Sequence, residues 1–193
     1  MPSHASRRMV LLGAASALMA SCAPTPSANP LPRAMRNALR ISDITVETGG
    51  TAFVNRAAAD RASSLAPDLR QALLREFADR ISDDGVRVVV EISQLNVAGG
   101  TATATGRDQS RLQGAVRVVQ TDGSVLASYT IIAVAGAARE TRTGTVVGSV
   151  INTASGFYRA LIDQFSLQTR EDMLGAYLPG ERQARRIGGA LSN

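Results

Sequence analysis

The sequence predicts an α+β domain, a sheet of about four strands in the order β-α-β-β-β-α with two helices packed on one face. Three observations carry that reading. Apolar residues recur at helical spacing in two separate segments, they alternate at period two in four others, and an Asp-Gly pair joins the last two strands.

The first strand runs from Leu39 to Thr48, where Leu39 and Ile41 alternate and Ile44 and Val46 resume one place out of phase across Ser42-Asp43. That slip predicts a bulge or bend. Gly49-Gly50 ends the strand, and Thr51 to Ala66 is read as a loop or an early helical turn. A helix is expected over Pro67–Ser82. Pro67 suits a first turn, Asp68 complements the helix dipole, and Leu69, Leu73, Leu74, Phe77 and Ile81 form its stripe, with Gly85 as the stop.

Strands follow over Val86–Val97, Leu112–Gln120 and Val125–Val134. In the first of these, Val86, Val88, Val90 and Ile92 point inward. Asp122-Gly123 marks a hairpin whose two central residues are both expected at positive φ. The Gly- and Thr-rich segments 98–110 and 136–148 are expected to be loops, the first of them mobile. A last helix covers Val150–Tyr177, with Phe157, Tyr158, Leu161, Ile162, Phe165, Met173, Leu174 and Tyr177 as its stripe, interrupted around Gln168–Asp172. The sequence divides into a signal over 1–21, a tether over 22–38, the α+β domain over 39–178 and a basic tail over 179–193.

The first division rests on the start of the chain. Arg7 and Arg8 precede an apolar run, Met9 to Ala20, that is shorter than the roughly 20 residues of a membrane-spanning helix. The run ends in Leu18-Met19-Ala20-Ser21-Cys22, which resembles a lipobox, with Met19 in the place where Leu is usual. That resemblance implies cleavage between Ser21 and Cys22 and fatty acylation of Cys22. Cys22 is the only cysteine, so it has no disulfide partner in an oxidising compartment. An ordinary secretory signal cut nearby is the alternative. Ser6-Arg7-Arg8-Met9 also resembles a twin-arginine export motif, and general secretion remains open beside it. Ala23 after the cysteine, by resemblance to the sorting rule of well-studied proteobacteria, points to the periplasmic face of the outer membrane, with the inner membrane as the alternative.

Composition excludes several chemistries. All 21 basic residues are Arg, and Arg7 and Arg8 leave with the signal. Arg182, Arg185 and Arg186 crowd the tail, so the body is close to neutral and offers no clustered basic face for nucleic acid. His4, the only histidine, lies in the signal. The mature chain therefore has no imidazole, no lysine amine and no free thiol. That removes Ser-His-Asp, Cys-His, Ser-Lys and Schiff-base catalysis, together with His- and Cys-ligated metal or haem sites. Only carboxylate chemistry or an oxygen-ligated ion remains, and no catalytic, cofactor or metal residue is expected. Arg33, Arg36 and Arg40, after the Pro-rich segment 23–32, are read as solvated, with anionic lipid head groups as the alternative partner.

With the lipobox, the element order resembles small periplasm-facing lipoproteins of proteobacteria whose fold is similar to the N-terminal domain of the Tol-Pal protein TolB and to the curli-secretion lipoprotein family. The resemblance covers residues 39–178. It rests on that order and on the strand-turn-strand pattern of Gly114 to Val119 followed by Asp122 to Ala127. It implies a non-catalytic envelope component that meets a protein partner, or itself, through a sheet edge or loops. The alternative is an auxiliary lipoprotein of a lipid transporter, which would need an apolar groove. Elemental analysis of untagged protein checks the exclusion of transition metals: no stoichiometric zinc or copper should survive dialysis, and a retained equivalent of either would contradict it.

Overall fold

A computed structural model describes residues 29–99, 108–135 and 153–176. The elements are α1 (Arg33–Ala38), β1 (Ile41–Glu47), β2 (Ala52–Phe53), α2 (Arg56–Ala59), α3 (Ala62–Glu76), β3 (Val86–Asn96), β4 (Ser110–Val119), β5 (Val125–Ala135) and α4 (Ala154–Leu174). They build an α+β fold on a mixed sheet of order β1-β3-β4-β5, with the two-residue β2 continuing along the same side of β3 as β1. β1 and β3 are parallel, which makes α3 a crossover, and the remaining long pairings are antiparallel.

The bulge predicted in β1 is present. Ile41 pairs with Val86 and Asp43 with Arg87, so register slips across Ser42 and both Ile41 and Ile44 end on the buried side. A second slip, between Ile92 and Gln94, puts Leu95 and Val97 in the core after Val88, Val90 and Ile92. Val86, expected inside, is only half-buried. At Gly85 an added Cβ would lie 2.5 Å from the backbone of Ile41. The glycine therefore allows β3 to start against β1, while the helix has already ended at Glu76.

That helix also starts earlier than Pro67. Ala62 begins it, and Pro67 falls in the second turn, where it withholds an N–H from the carbonyl of Ser63. Both residues are exposed, so water takes the vacant acceptor and the apolar stripe on the opposite side decides the helix limits. Leu65, Leu69, Leu73 and Phe77 are fully buried. Ile81 is not part of the stripe. A 3₁₀ turn, Ala78–Arg80, changes the twist after Phe77, and Ile81 is left 44% exposed. Thr51 to Ala66, read as loop or helical turn, holds β2, α2 and the first turn of α3.

The β4–β5 hairpin differs in turn geometry from the two-residue expectation. Gly123 N–H donates to Gln120 O at 3.0 Å, so Thr121 and Asp122 are the central pair. Gly123 follows them with φ +88°, and Asp122 Oδ1 accepts from Ser124 N at 2.8 Å. One left-handed glycine after the turn, with a register slip between Val118 and Val119, does the work assigned to two positive-φ positions.

α4 begins at Thr153, whose Oγ1 accepts from Gly156 N at 3.0 Å. The expected ends of this helix, Val150 and Tyr177, and most of the two predicted loops lie outside the described residues. α3 packs on β1, α4 packs on β4 and β5, and the two helices pack on each other. They run parallel: Arg61 meets Ser155 near both starts, and Arg170 meets Glu76 near the end of α3. Residues 29–38, read as the end of the tether, contribute Leu31 to the core and form α1.

Phe157, Leu161, Ile162 and Phe165 fill the space between α4 and the sheet. Phe157→Ala should destabilise the fold by about 3–5 kcal/mol through lost burial and a residual cavity. Denaturant unfolding of a soluble chain without the signal and Cys22 measures it, and an unchanged midpoint would mean that this face of α4 is not packed.

Candidate functional site

Ser21 and Cys22, the residues assigned to cleavage and acylation, lie outside the described residues. The described domain offers three surfaces: a cleft between the helices, the uncovered face of the sheet, and the sheet's two edges.

The cleft, about 400 Å³, runs along α3 from Arg61 to Arg75 and over the N-terminal half of α4. Arg61 donates to Ser155 Oγ at 2.8 Å and sits over the Tyr158 ring at 4.9 Å, a cation–π distance. Tyr158 Oη donates to Asp68 Oδ2 at 2.8 Å. Burial, with the Asp68 carboxylate adding to it, raises the Tyr158 hydroxyl to about 12. These contacts stitch the helices together. A phenol held neutral by burial is poorly suited to give up its proton near neutral pH, so Tyr158 acts here to hold α4 against α3.

Across the sheet, a trough of about 820 Å³ is bordered by Glu47, Gly49, Gly50, Glu91, Ala115 and Thr130. Glu47 and Glu91 are direct register partners on β1 and β3. The register sets these two carboxylates side by side on the uncovered face. Glu91, however, is ion-paired with Arg117 on β4, and the trough is open to water. Among the described residues no group of three His, Cys, Asp or Glu side chains is arranged to hold a metal. The rest of this face mixes Thr45, Val89, Ser128 and Ile132 with the charged pair.

The two edges differ. On β1, Ile41 O accepts from Ser82 N at 3.0 Å and Ile44 O accepts from Arg70 Nε at 2.8 Å. Arg70 also pairs with Asp43 at 3.2 Å. Partial burial of Asp43 works against its charge, yet hydrogen bonds from Thr45 and Arg70 outweigh it and hold the carboxyl below its usual value. Charged and already-bonded edges resist further strand pairing. On β5, eleven residues, Val125 to Ala135, carry no charge, and no described strand pairs with their outer side.

Arg170 was not legible as a functional or structural residue, because it occupies the polar gap in the α4 stripe. It is 4% exposed, donates to both Asp79 oxygens at 2.8 and 3.1 Å and to Glu76 O at 2.9 Å, and stacks over Phe77. Its position three residues before Met173 and five after Phe165, on the buried side, was the available signal.

Comparison with protein-family models returns no match, and comparison with curated proteins returns none either. Neither comparison bears on the expected resemblance to TolB-like and curli-secretion domains, whose basis is element order and the strand-turn-strand pattern.

Two of the three tyrosines bear on stability. Burial raises Tyr129 as well as Tyr158 to about 12 from the ordinary 10. Between those values the folded chain holds protons that the unfolded chain has released. Stability from this source should therefore be complete below pH 10 and fall as pH rises toward 12. Chemical denaturation across that window, with Tyr158→Phe as the comparison, checks it; a slope unchanged by the substitution would contradict the assignment.

Proposed function

We propose that this chain is a lipoprotein, anchored through acyl chains on Cys22 to the periplasmic face of the outer membrane. There it acts as a non-catalytic interaction component of the cell envelope, and its partner is another envelope protein or a second copy. The observation that carries the anchor is the sequence Leu18-Met19-Ala20-Ser21-Cys22, placed at the end of a charged and then apolar leader and holding the only cysteine.

The geometry that supports an interaction role is the asymmetry of the edges. β1 is closed by its own chain, whereas β5 offers an uncharged strand to which a partner strand could add by main-chain hydrogen bonds. The transporter-auxiliary reading draws less support, because the uncovered sheet face carries Arg117, Glu91, Glu47 and Thr130 where a lipid groove would be apolar.

Metabolic labelling with a clickable fatty acid, followed by fractionation, tests the anchor. The wild type should carry the label and sediment with outer membrane, and Cys22→Ala should lose the label and appear in the soluble periplasm or persist as precursor. Equal membrane retention of both forms without label would overturn the assignment.

A further inference from the structure

We infer that α1 is a membrane-facing surface that rests on anionic phospholipid of the bilayer holding Cys22; the inference builds on the acylation proposed above.

The helix is an anomaly in packing terms. It has six residues, no side-chain cap and no buried residue of its own. Isolated helices of that length are not stable in water. Leu31 and Leu39, buried on either side, hold it stretched across one end of the domain. Met35 on it is 40% exposed, with Arg33 exposed at the helix start and Arg40 exposed just past its end. Neither arginine has a carboxylate partner among the described residues. Arg36, the inward member, leaves its buried Nε without a hydrogen-bond acceptor among those residues.

Chain length identifies the occupant. Asn29 is packed against the domain, its amide donating to Asp172 O and its Oδ1 accepting from Tyr129 Oη at 3.0 Å. Six residues separate it from Cys22, so the seven chain steps between them span at most about 25 Å and tie the acylated residue to this end of the domain. α1 starts four residues after Asn29, so it belongs to the part of the described chain nearest the anchor in sequence. An apolar side chain flanked by arginines is the composition that seats at a head-group boundary, and an acyl chain alone gives marginal anchoring that a basic patch strengthens.

Charge at this end is not one-sided. Asp83 and Asp84 precede β3 beside Arg40, Asp79 is paired with Arg80 and Arg170, and Asp172 lies behind Asn29, where burial raises its carboxyl. Docking therefore depends on the anchor to bring Arg33 and Arg40 to the lipid.

Acylation blocks the Cys22 thiol, so Met35→Cys in the mature lipoprotein supplies one free thiol for an environment-sensitive dye. The labelled protein is reconstituted in vesicles of phosphatidylcholine with and without phosphatidylglycerol, and quenching by aqueous iodide is read. In anionic vesicles the dye should be shielded, and a dye at Thr130→Cys should remain quenched. Arg33→Glu with Arg40→Glu, or salt raised to about 1 M to shorten the screening length, should return position 35 to its quenching in neutral vesicles. A dye at 35 equally quenched in both vesicle types, on protein that still floats with them, overturns the docking and leaves the anchor standing. Protein that carries no acyl chain and does not float overturns both.

Discussion

The fold depends on keeping one face of a five-stranded sheet dry with two long helices, which lie side by side and parallel. α3 covers β1, α4 covers β4 and β5, and neither alone spans the core. The contacts that fix their relative position are polar and sit at the two ends of the shared groove. At one end Arg61, Ser155, Tyr158 and Asp68 form a chain of contacts. At the other, Arg170 reaches from α4 to Asp79 and the carbonyl of Glu76. A buried guanidinium is costly unless its partners are in place, and removing one partner of a buried pair typically costs about 3–5 kcal/mol. The pair therefore fixes the slide of α4 along α3, while the apolar residues between supply the burial.

Much of this was legible in the sequence where hydrophobic period and burial coincide. The slip at Ser42-Asp43 could be read as a bulge because Ile41 and Ile44 must share a face, and the stripe of α4 could be read because Phe157, Leu161 and Phe165 all pack inward. The start of α3 was missed because Pro67 is a strong local signal with a weak local consequence: its vacant acceptor is in water. Arg170 was missed because charge in a stripe reads as an interruption, and only the end of α3, distant in sequence, turns it into a partner. α1 carries no apolar period, since no residue on it is buried as a whole.

The candidate surfaces were legible only in part. Composition removed the common nucleophiles and metal ligands, and what the fold assembles from the remaining carboxylates is an open trough in which Glu91 is already paired. A sheet edge as an interface could be anticipated from the β-rich order, but not which edge. The difference arises from tertiary contacts, Arg70 and Ser82 closing β1, that strand patterning does not encode. Covering one sheet face with helices leaves the other face and an edge for contact, and the proposed lipid tether would concentrate that contact at the membrane.

The most direct test of this account uses a photo-crosslinking residue at Ser128 on β5 and, in a parallel strain, at Thr45 on β1, two exposed positions in one row across the sheet. Irradiation of intact cells, followed by identification of adducts by mass, reads which edge is occupied in the envelope. The account predicts a discrete adduct, with a second copy or one envelope protein, from position 128 and none from position 45. Adducts from position 45 alone, or the same diffuse set from both, would contradict it.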